Sequence, residues 1–204
     1  GKNGIYNTEN EWGLPPEIII SHTFFTRRTK DFYDYYKKYM VYPSAVPNAV
    51  HIALARLEKK GKIKAVLTQN IDGLHQAAGS KNVYELHGSV HRNYCTRCGK
   101  FYDLDYILGA KGVPTCECGG VIKPDVVLYE EPLDDDIWQG AWEEVRRADT
   151  LIVGGSSLTV YPAAGLVDMF YGKNLCIINA TPTPFDRRAT YLSHDSLTRE
   201  FENL

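Results

Sequence analysis

The chain has no apolar run approaching the roughly 20 residues that a membrane-spanning helix needs, so nothing in it predicts a span. It has no excess of either charge. Lys and Arg total 23 against 25 Asp and Glu, a formal net charge of −2, which gives no electrostatic reason to expect nucleic acid. It has no internal repeat and no low-complexity linker. No secretory signal pattern opens it, so the expected setting is cytoplasmic and reducing. What remains is ordinary for a globular protein, with 44% hydrophobic and 24% charged residues. At 204 residues the chain suits one sizeable domain, or one domain with a small insertion. Charge runs such as Glu58-Lys59-Lys60 and Asp134-Asp135-Asp136 read as solvated faces or turns.

Cysteine is sparse, five in all, yet four of the five are clustered. Cys95 and Cys98 form a CxxC pair, and Cys116 and Cys118 form a CxC pair after a gap of 17 residues. Such pairs can turn back and present both sulfurs to one ion. Four thiolates make a closed tetrahedral zinc site with no position open to substrate, so the metal is expected to be structural. A disulfide framework is the alternative, and it needs an oxidising compartment. His91 is a conceivable fifth donor, but four sulfurs already complete the tetrahedron. Cys176, in the apolar run LCIIN, reads as a small core residue rather than a reactive thiol.

Periodicity predicts an amphipathic helix over 30–40, with Phe32, Tyr35, Tyr36 and Tyr39 at helical spacing. A second helix is predicted over 47–60, and further helices over 138–148 and 162–171. Short strands are predicted at 64–68, 83–86, 125–129, 150–153 and 175–178. Short apolar strands alternating with helices imply a parallel sheet covered on both faces, in which ligands bind at the strands' carboxyl ends. The polar clusters TQN, HG, GGSS and Asn179 all fall at such ends.

Singly these clusters are weak signals. LIVGGSSL offers close backbone approach and hydroxyls for ribose or phosphate, but a plain strand-to-helix turn reads the same way. In TQNIDGLH, Asn70 can meet an amide or an anion. Asp72 reads equally as a helix cap, and His75 as a packed or capping histidine. His87, with Gly88 leaving its ring open, is a candidate general base; a lone LHG is also a common structural pattern.

Together, in order, TQNIDGLH (68–75), ELHG (85–88), the cysteine pairs, KPDVVLYEE (123–131), VGGSSLTVYPAAGL (153–166) and INATPTPFD (178–186) resemble the sirtuins. The likeness is to a bacterial member of that family of NAD-dependent protein deacylases, and it covers essentially the whole chain. It implies an α/β fold, a Rossmann-like parallel sheet with an inserted small zinc-binding domain. Residues 1–93 and 124–204 would form the discontinuous NAD-binding domain, with 1–45 helical and partly in the small domain. Residues 94–123 would form the zinc-binding module. The resemblance makes His87 the general base. It assigns Gln69, Asn70 and Asp72 to nicotinamide and its ribose, and Gly155, Ser156 and Ser157 to the adenosine side. Asn179 falls at an adenosine ribose contact and Asp195 near the adenine. Val126, Val127 and Leu128 match the strand that pairs with an acetylated protein or peptide substrate by β-augmentation.

The chain departs from the family at two places that bear on substrate and cofactor. The usual FGE after the peptide strand is Tyr129-Glu130-Glu131, so the glycine is replaced. The glycine-rich loop GAGxSxxSGIPDFR is absent from the sequence, which opens on GKNGIY, a match to the residues directly after that loop in the family. Two expectations compete: the segment lies upstream, which is favoured because an open core strand is a poor design for a soluble domain, or the chain is a fragment with much reduced NAD affinity. A zinc-knuckle binding module without catalysis and a mono-ADP-ribosyl transferase are the competing functions. Where desuccinylases carry Tyr-x-x-Arg, this chain has Tyr33-Asp34-Tyr35-Tyr36, so acetyl or a longer neutral acyl group is expected over succinyl.

Overall fold

A computed structural model describes residues 11–201; the expectations for residues 1–6 lie outside it. In chain order come α1 (Pro16–Ile19), α2 (His22–Arg27), α3 (Thr29–Tyr35), a π turn (Tyr36–Met40) and α4 (Ala49–Lys59). Next are β1 (Val66–Thr68), α5 (Leu74–Ala77), β2 (Val83–Glu85), β3 (Gly88–Cys95), β4 (Phe101–Tyr102), α6 (Leu104–Gly109) and β5 (Ile122–Val126). The last part holds α7 (Asp135–Arg147), β6 (Thr150–Gly154), a 3-10 segment (Ala163–Met169), β7 (Asn174–Ile178), β8 (Tyr191–Ser193) and α8 (Leu197–Phe201). Two compact units divide these elements, and the chain passes between them after Ala45, Gln69, Gly73, Leu86 and Leu133.

The first unit holds residues 11–45, Asn70–Gly73 and His87–Leu133, a larger body than the cysteine-bearing stretch 94–123. Its sheet is antiparallel, in the order β4-β3-β5. One core joins the N-terminal helices to this sheet: Phe24, Phe25, Phe32, Tyr33, Tyr35 and Tyr36 pack with Ile107, Ile122, Val126 and the metal-side Cys95 and Cys116. The Tyr33 hydroxyl donates to the Ile122 carbonyl, fastening α3 to the start of β5.

The second unit holds 46–69, 74–86 and 134–201. It contains parallel ladders β1-β2 and β6-β7-β8. Helix α7 begins at the acidic run: Asp134 accepts from the Ile137 N–H, Asp135 and Asp136 occupy the first turn, and Arg146 and Arg147 the last. That arrangement complements the helix dipole. The helix buries Ala141 and Val145 against Leu166, Val167, Leu175 and Ile177.

Four elements differ from the sequence reading. The strand predicted over 125–129 lies earlier, at Ile122–Val126, because β5 is held in register by β3, Cys95 facing Ile122 and Gly88 facing Val126. Beyond Val126 the chain turns: the Leu128 N–H donates to Glu131 Oε2 and the Glu131 N–H to the Leu128 carbonyl. Val127 and Leu128 therefore lie just past the strand. The helix predicted over 30–40 widens into a π turn at Tyr36. Four aromatic residues, Phe32, Tyr33, Tyr35 and Tyr36, are all essentially fully buried there, more than one 3.6-residue stripe can face inward. The segment predicted as a helix over 162–171 is a 3-10 turn. Strand β6 is not covered on both faces, since its residues alternate between exposed and half-buried.

Candidate functional site

The metal centre is built by two reversals in the first unit. Sγ of Cys95 and Cys118 lie 3.5 Å apart, Sγ of Cys98 and Cys116 lie 3.6 Å apart, and all four sulfurs fall within 4.8 Å of one another. A zinc tetrahedron with bonds of about 2.3 Å has edges near 3.8 Å, so the group fits that ion. The N–H groups of Arg97 and Cys98 point at Cys95 Sγ, at 3.3 and 3.5 Å. The Tyr102 hydroxyl donates to Cys116 Sγ at 3.1 Å. That hydroxyl and the Cys118 N–H hold the Cys116 thiol down at about 6, ready to ligate as thiolate. His91 is not in the cluster; its Nε2 lies 3.0 Å from the carbonyl oxygen of Asp72.

The HG turn stands against the Val126–Leu128 segment in the same unit. His87 is half-buried, and its carbonyl accepts the Val127 N–H at 3.0 Å. Gly88 has φ +75°, and a Cβ there would lie 1.9 Å from the Asp125 carbonyl oxygen. Only glycine supplies both that backbone and that clearance. Next along, Glu130 also has positive φ, at 76°, where the family glycine is replaced. Left-handed backbone costs a non-glycine residue about 1–2 kcal/mol. Glu130 gains a carboxylate bond to the Thr23 N–H of α2, 2.8 Å long. Glu131 meets His22 Nδ1 at 2.8 Å and Lys123 Nζ at 3.0 Å, and Lys123 Nζ also donates to the Val126 carbonyl. This network holds the segment's backbone from two sides. Asn70 is exposed and Asp72 half-buried in the adjoining part of the unit.

The second unit carries the remaining candidates at strand ends. Gln69 directly follows β1, and the chain leaves this unit at Asn70 and again at His87, each just past a parallel strand. Gly155, Ser156 and Ser157 follow β6, Asn179 follows β7, and Asp195 follows β8 by two residues. The three strands are parallel neighbours, so these residues share one edge of the ladder. The Gly155 N–H donates to the Ile178 carbonyl and the Asn179 N–H to the Ser193 carbonyl, both at 3.0 Å. The buried Asn179 turns its amide to Thr181, and Ser156 Oγ accepts from the Leu158 N–H. Asp195 is exposed, accepts from the Ser196 N–H and pairs with Arg199 of α8. The set of hydroxyls, carboxamide and open glycine backbone suits a nucleotide's ribose and phosphate. His75 packs its ring 4.6 Å from that of His51. Cys176 is half-buried in β7, where burial pushes its thiol up.

Sequence reading gave no separate role to Glu131, Lys123, His22 or Tyr102. Lys123 and Glu131 lie inside KPDVVLYEE, but their pairing depends on where β5 turns, and the His22–Glu131 and Tyr102–Cys116 bonds join residues farther apart in the chain. The Tyr-Glu-Glu departure from FGE was the one signal near them.

A sequence model described as the Sir2 family matches residues 1–162. A protein from Clostridium acetobutylicum named NAD-dependent protein deacetylase is 53% identical over all of this chain and 84% of its own length. A solved structure of Sir2 with a p53 peptide and NAD+ superposes with a TM-score of 0.87 at 40% identity, covering 98% of this chain and 85% of that one. Another, of Sir2 with 2′-O-acetyl-ADP-ribose and deacetylated p53 peptide, gives 0.87 at 41% identity, covering 91% and 82%. With its thiol tetrahedron, its HG turn and its parallel strand ends, the chain belongs to the Sir2 family.

Proposed function

We infer that this chain is an NAD-dependent protein lysine deacetylase, which transfers the acetyl group of an acetylated protein or peptide to ADP-ribose and releases nicotinamide. The observation that carries the reading is the HG turn, where the carbonyl of His87 is bonded to the N–H of Val127 in the Val126–Leu128 segment. NAD supplies the ADP-ribose that accepts the acetyl group, with nicotinamide as its leaving part. With NAD bound, His87 would accept at its imidazole the proton of the ribose hydroxyl that takes up the acyl group. Asn70 and Asp72 orient the nicotinamide amide and a water, and Gln69 serves the ribose. Gly155, Ser156 and Ser157 hold the adenosine side, Asn179 its ribose, and Asp195 lies toward the adenine. Val126, Val127 and Leu128 pair with the peptide backbone. Zinc on Cys95, Cys98, Cys116 and Cys118 holds the fold and takes no part in the reaction. No helix among the described residues is long and apolar enough to cross a membrane, and a cytoplasmic setting suits thiols kept free to bind metal.

The acyl group is acetyl or another neutral group. Tyr36 is fully buried, and the neighbouring Lys37 commits its Nζ to the carbonyls of Ala110 and Gly112. Neither is available as the cation a succinyl carboxylate needs. Mass spectrometry of acetyl- and succinyl-lysine peptides, with and without NAD, tests the whole reading. Acetyl-ADP-ribose should form only with NAD. His87→Ala should reduce it by roughly 10²–10⁴-fold, the usual worth of a positioned base. Faster turnover of the succinyl peptide would overturn the acyl assignment; an undiminished rate in His87→Ala would overturn the base.

A further inference from the structure

We propose that His91, a residue outside the metal cluster and outside the HG turn, is a positioning residue that clasps the Asn70–Gly73 segment and thereby sets how NAD's nicotinamide end is held. The inference rests on the reading that Asn70 and Asp72 serve that end. Its basis is an irregularity in β3. The β3–β5 ladder pairs Ser89 with Asp125 and then Asn93 with Pro124, so Val90, His91 and Arg92 stand against no partner on β5. Insertions of this kind re-aim side chains and recur beside active sites. Here the displaced residues reach the 70–73 segment. The Val90 N–H donates to the Ile71 carbonyl at 3.0 Å. His91 Nε2 lies 3.0 Å from the Asp72 carbonyl. Arg92 Nε, 2.7 Å from Asp125 Oδ2, closes the base of the bulge.

The segment is shaped to receive the ring. Gly73 has φ +69°, and a Cβ on it would lie 2.8 Å from His91 Cδ2 and 3.0 Å from Nε2. The imidazole thus occupies the space that glycine leaves open, and its N–H caps the carbonyl one residue earlier. Two successive backbone units, Asp72 and Gly73, are fixed by one side chain. A carbonyl accepts only, so Nε2 carries the hydrogen.

The test uses the full chain with His91→Ala and His91→Gln, since glutamine also carries an Nε2 donor. Expected for His91→Ala is a rise of about 3- to 10-fold in KM for NAD, in step with one lost hydrogen bond. Nicotinamide inhibition should weaken by the same factor, while kcat and KM for the peptide change less than about twofold. Calorimetric NAD affinity should fall in parallel, and the amides of 70–73 should exchange faster with no loss of bound zinc. His91→Gln should return KM for NAD to within about twofold. Unchanged NAD and nicotinamide constants in His91→Ala would overturn the proposal, as would equal losses in the Ala and Gln variants. Asn70→Ala is the control for the underlying reading. If it disturbs nicotinamide handling while His91→Ala does not, the clasp alone is wrong. If neither disturbs it, the assignment of the segment is wrong and the clasp falls with it.

Discussion

Gly88 makes the sharpest residue-level demand in the first unit. A methyl group added there would stand 1.9 Å from a backbone oxygen, and backbone cannot swing aside as a side-chain tip can. Gly88→Ala must therefore part β3 from β5 just where His87 bonds Val127. The expected cost is roughly 3 kcal/mol or more, combining a forced strand shift with a positive-φ penalty. Urea titration should show it, and deacetylation should fall even in the fraction that remains folded. Glu131 makes a second demand, through charge. Burial alone would raise its carboxyl, but bonds from His22, the Leu128 N–H and Lys123 outweigh that and hold it below the ordinary 4.5. A depressed native value stabilises the fold above the unfolded pKa, and that contribution is lost as pH falls through the native one. Thermal melts of wild type and Glu131→Gln should differ by a few degrees at pH 7 and converge as pH falls toward 3. A constant gap at all pH values would refute the ionic role. The sequence displayed His87 and the four cysteines because their neighbours are fixed by short-range geometry. Glu131 and Lys123 were hidden because their bonds depend on where β5 ends and turns.

At the scale of elements, legibility followed the same division between local and distant causes. Helix α4 was readable because its start is signalled locally. Asn48 Oδ1 accepts from the N–H groups of Val50 and His51, and His51 Nδ1 returns the bond to the Asn48 N–H at 3.3 Å. Asn48→Ala should cost about 1 kcal/mol, the usual worth of an N-cap, and amide exchange should rise first in the opening turn of α4. The parallel strands β1, β2, β6 and β7 were readable for a similar reason, since short apolar runs end at polar clusters. Strands β3 and β4 were not. Sequence across 88–102 mixes charged, aromatic and cysteine residues, and its pairing is imposed by the metal reversals and by β5. The three-residue bulge at Val90–Arg92 follows from that imposed register and has no signature of its own in the sequence. Strand β8 is three residues long, and Tyr191 and Leu192 are both exposed, so no alternation marks it.

For the molecule as a whole, the consequential fact is where the metal ligands sit relative to the cores. The cysteines were expected in a module over 94–123, with residues 1–45 partly in the same small domain. Cys95 and Cys116 lie within the same buried cluster as Phe32, Tyr33 and Tyr36 of the N-terminal helices. The second unit has its own clusters, built on Leu175 and Ile177 and on Val50 and Phe201. Metal binding in such a site is folding free energy, because four thiolates cannot be held together without the ion's charge. Removing zinc with a chelator should therefore loosen the whole first unit, not only the knuckles. Near-UV circular dichroism should lose much of its aromatic signal, since the ring cluster of Phe25, Phe32, Tyr33 and Tyr36 lies in that core. Hydrogen exchange should accelerate across α2, α3 and β3–β5, while the β6-β7-β8 ladder keeps its protection. Cys98→Ser should move the chain in the same direction, with three thiolates holding zinc more weakly than four. Acceleration confined to 94–123 would mean that the helices hold their core without the metal. Equal acceleration in β6, β7 and β8 would mean that the two units melt as one cooperative body.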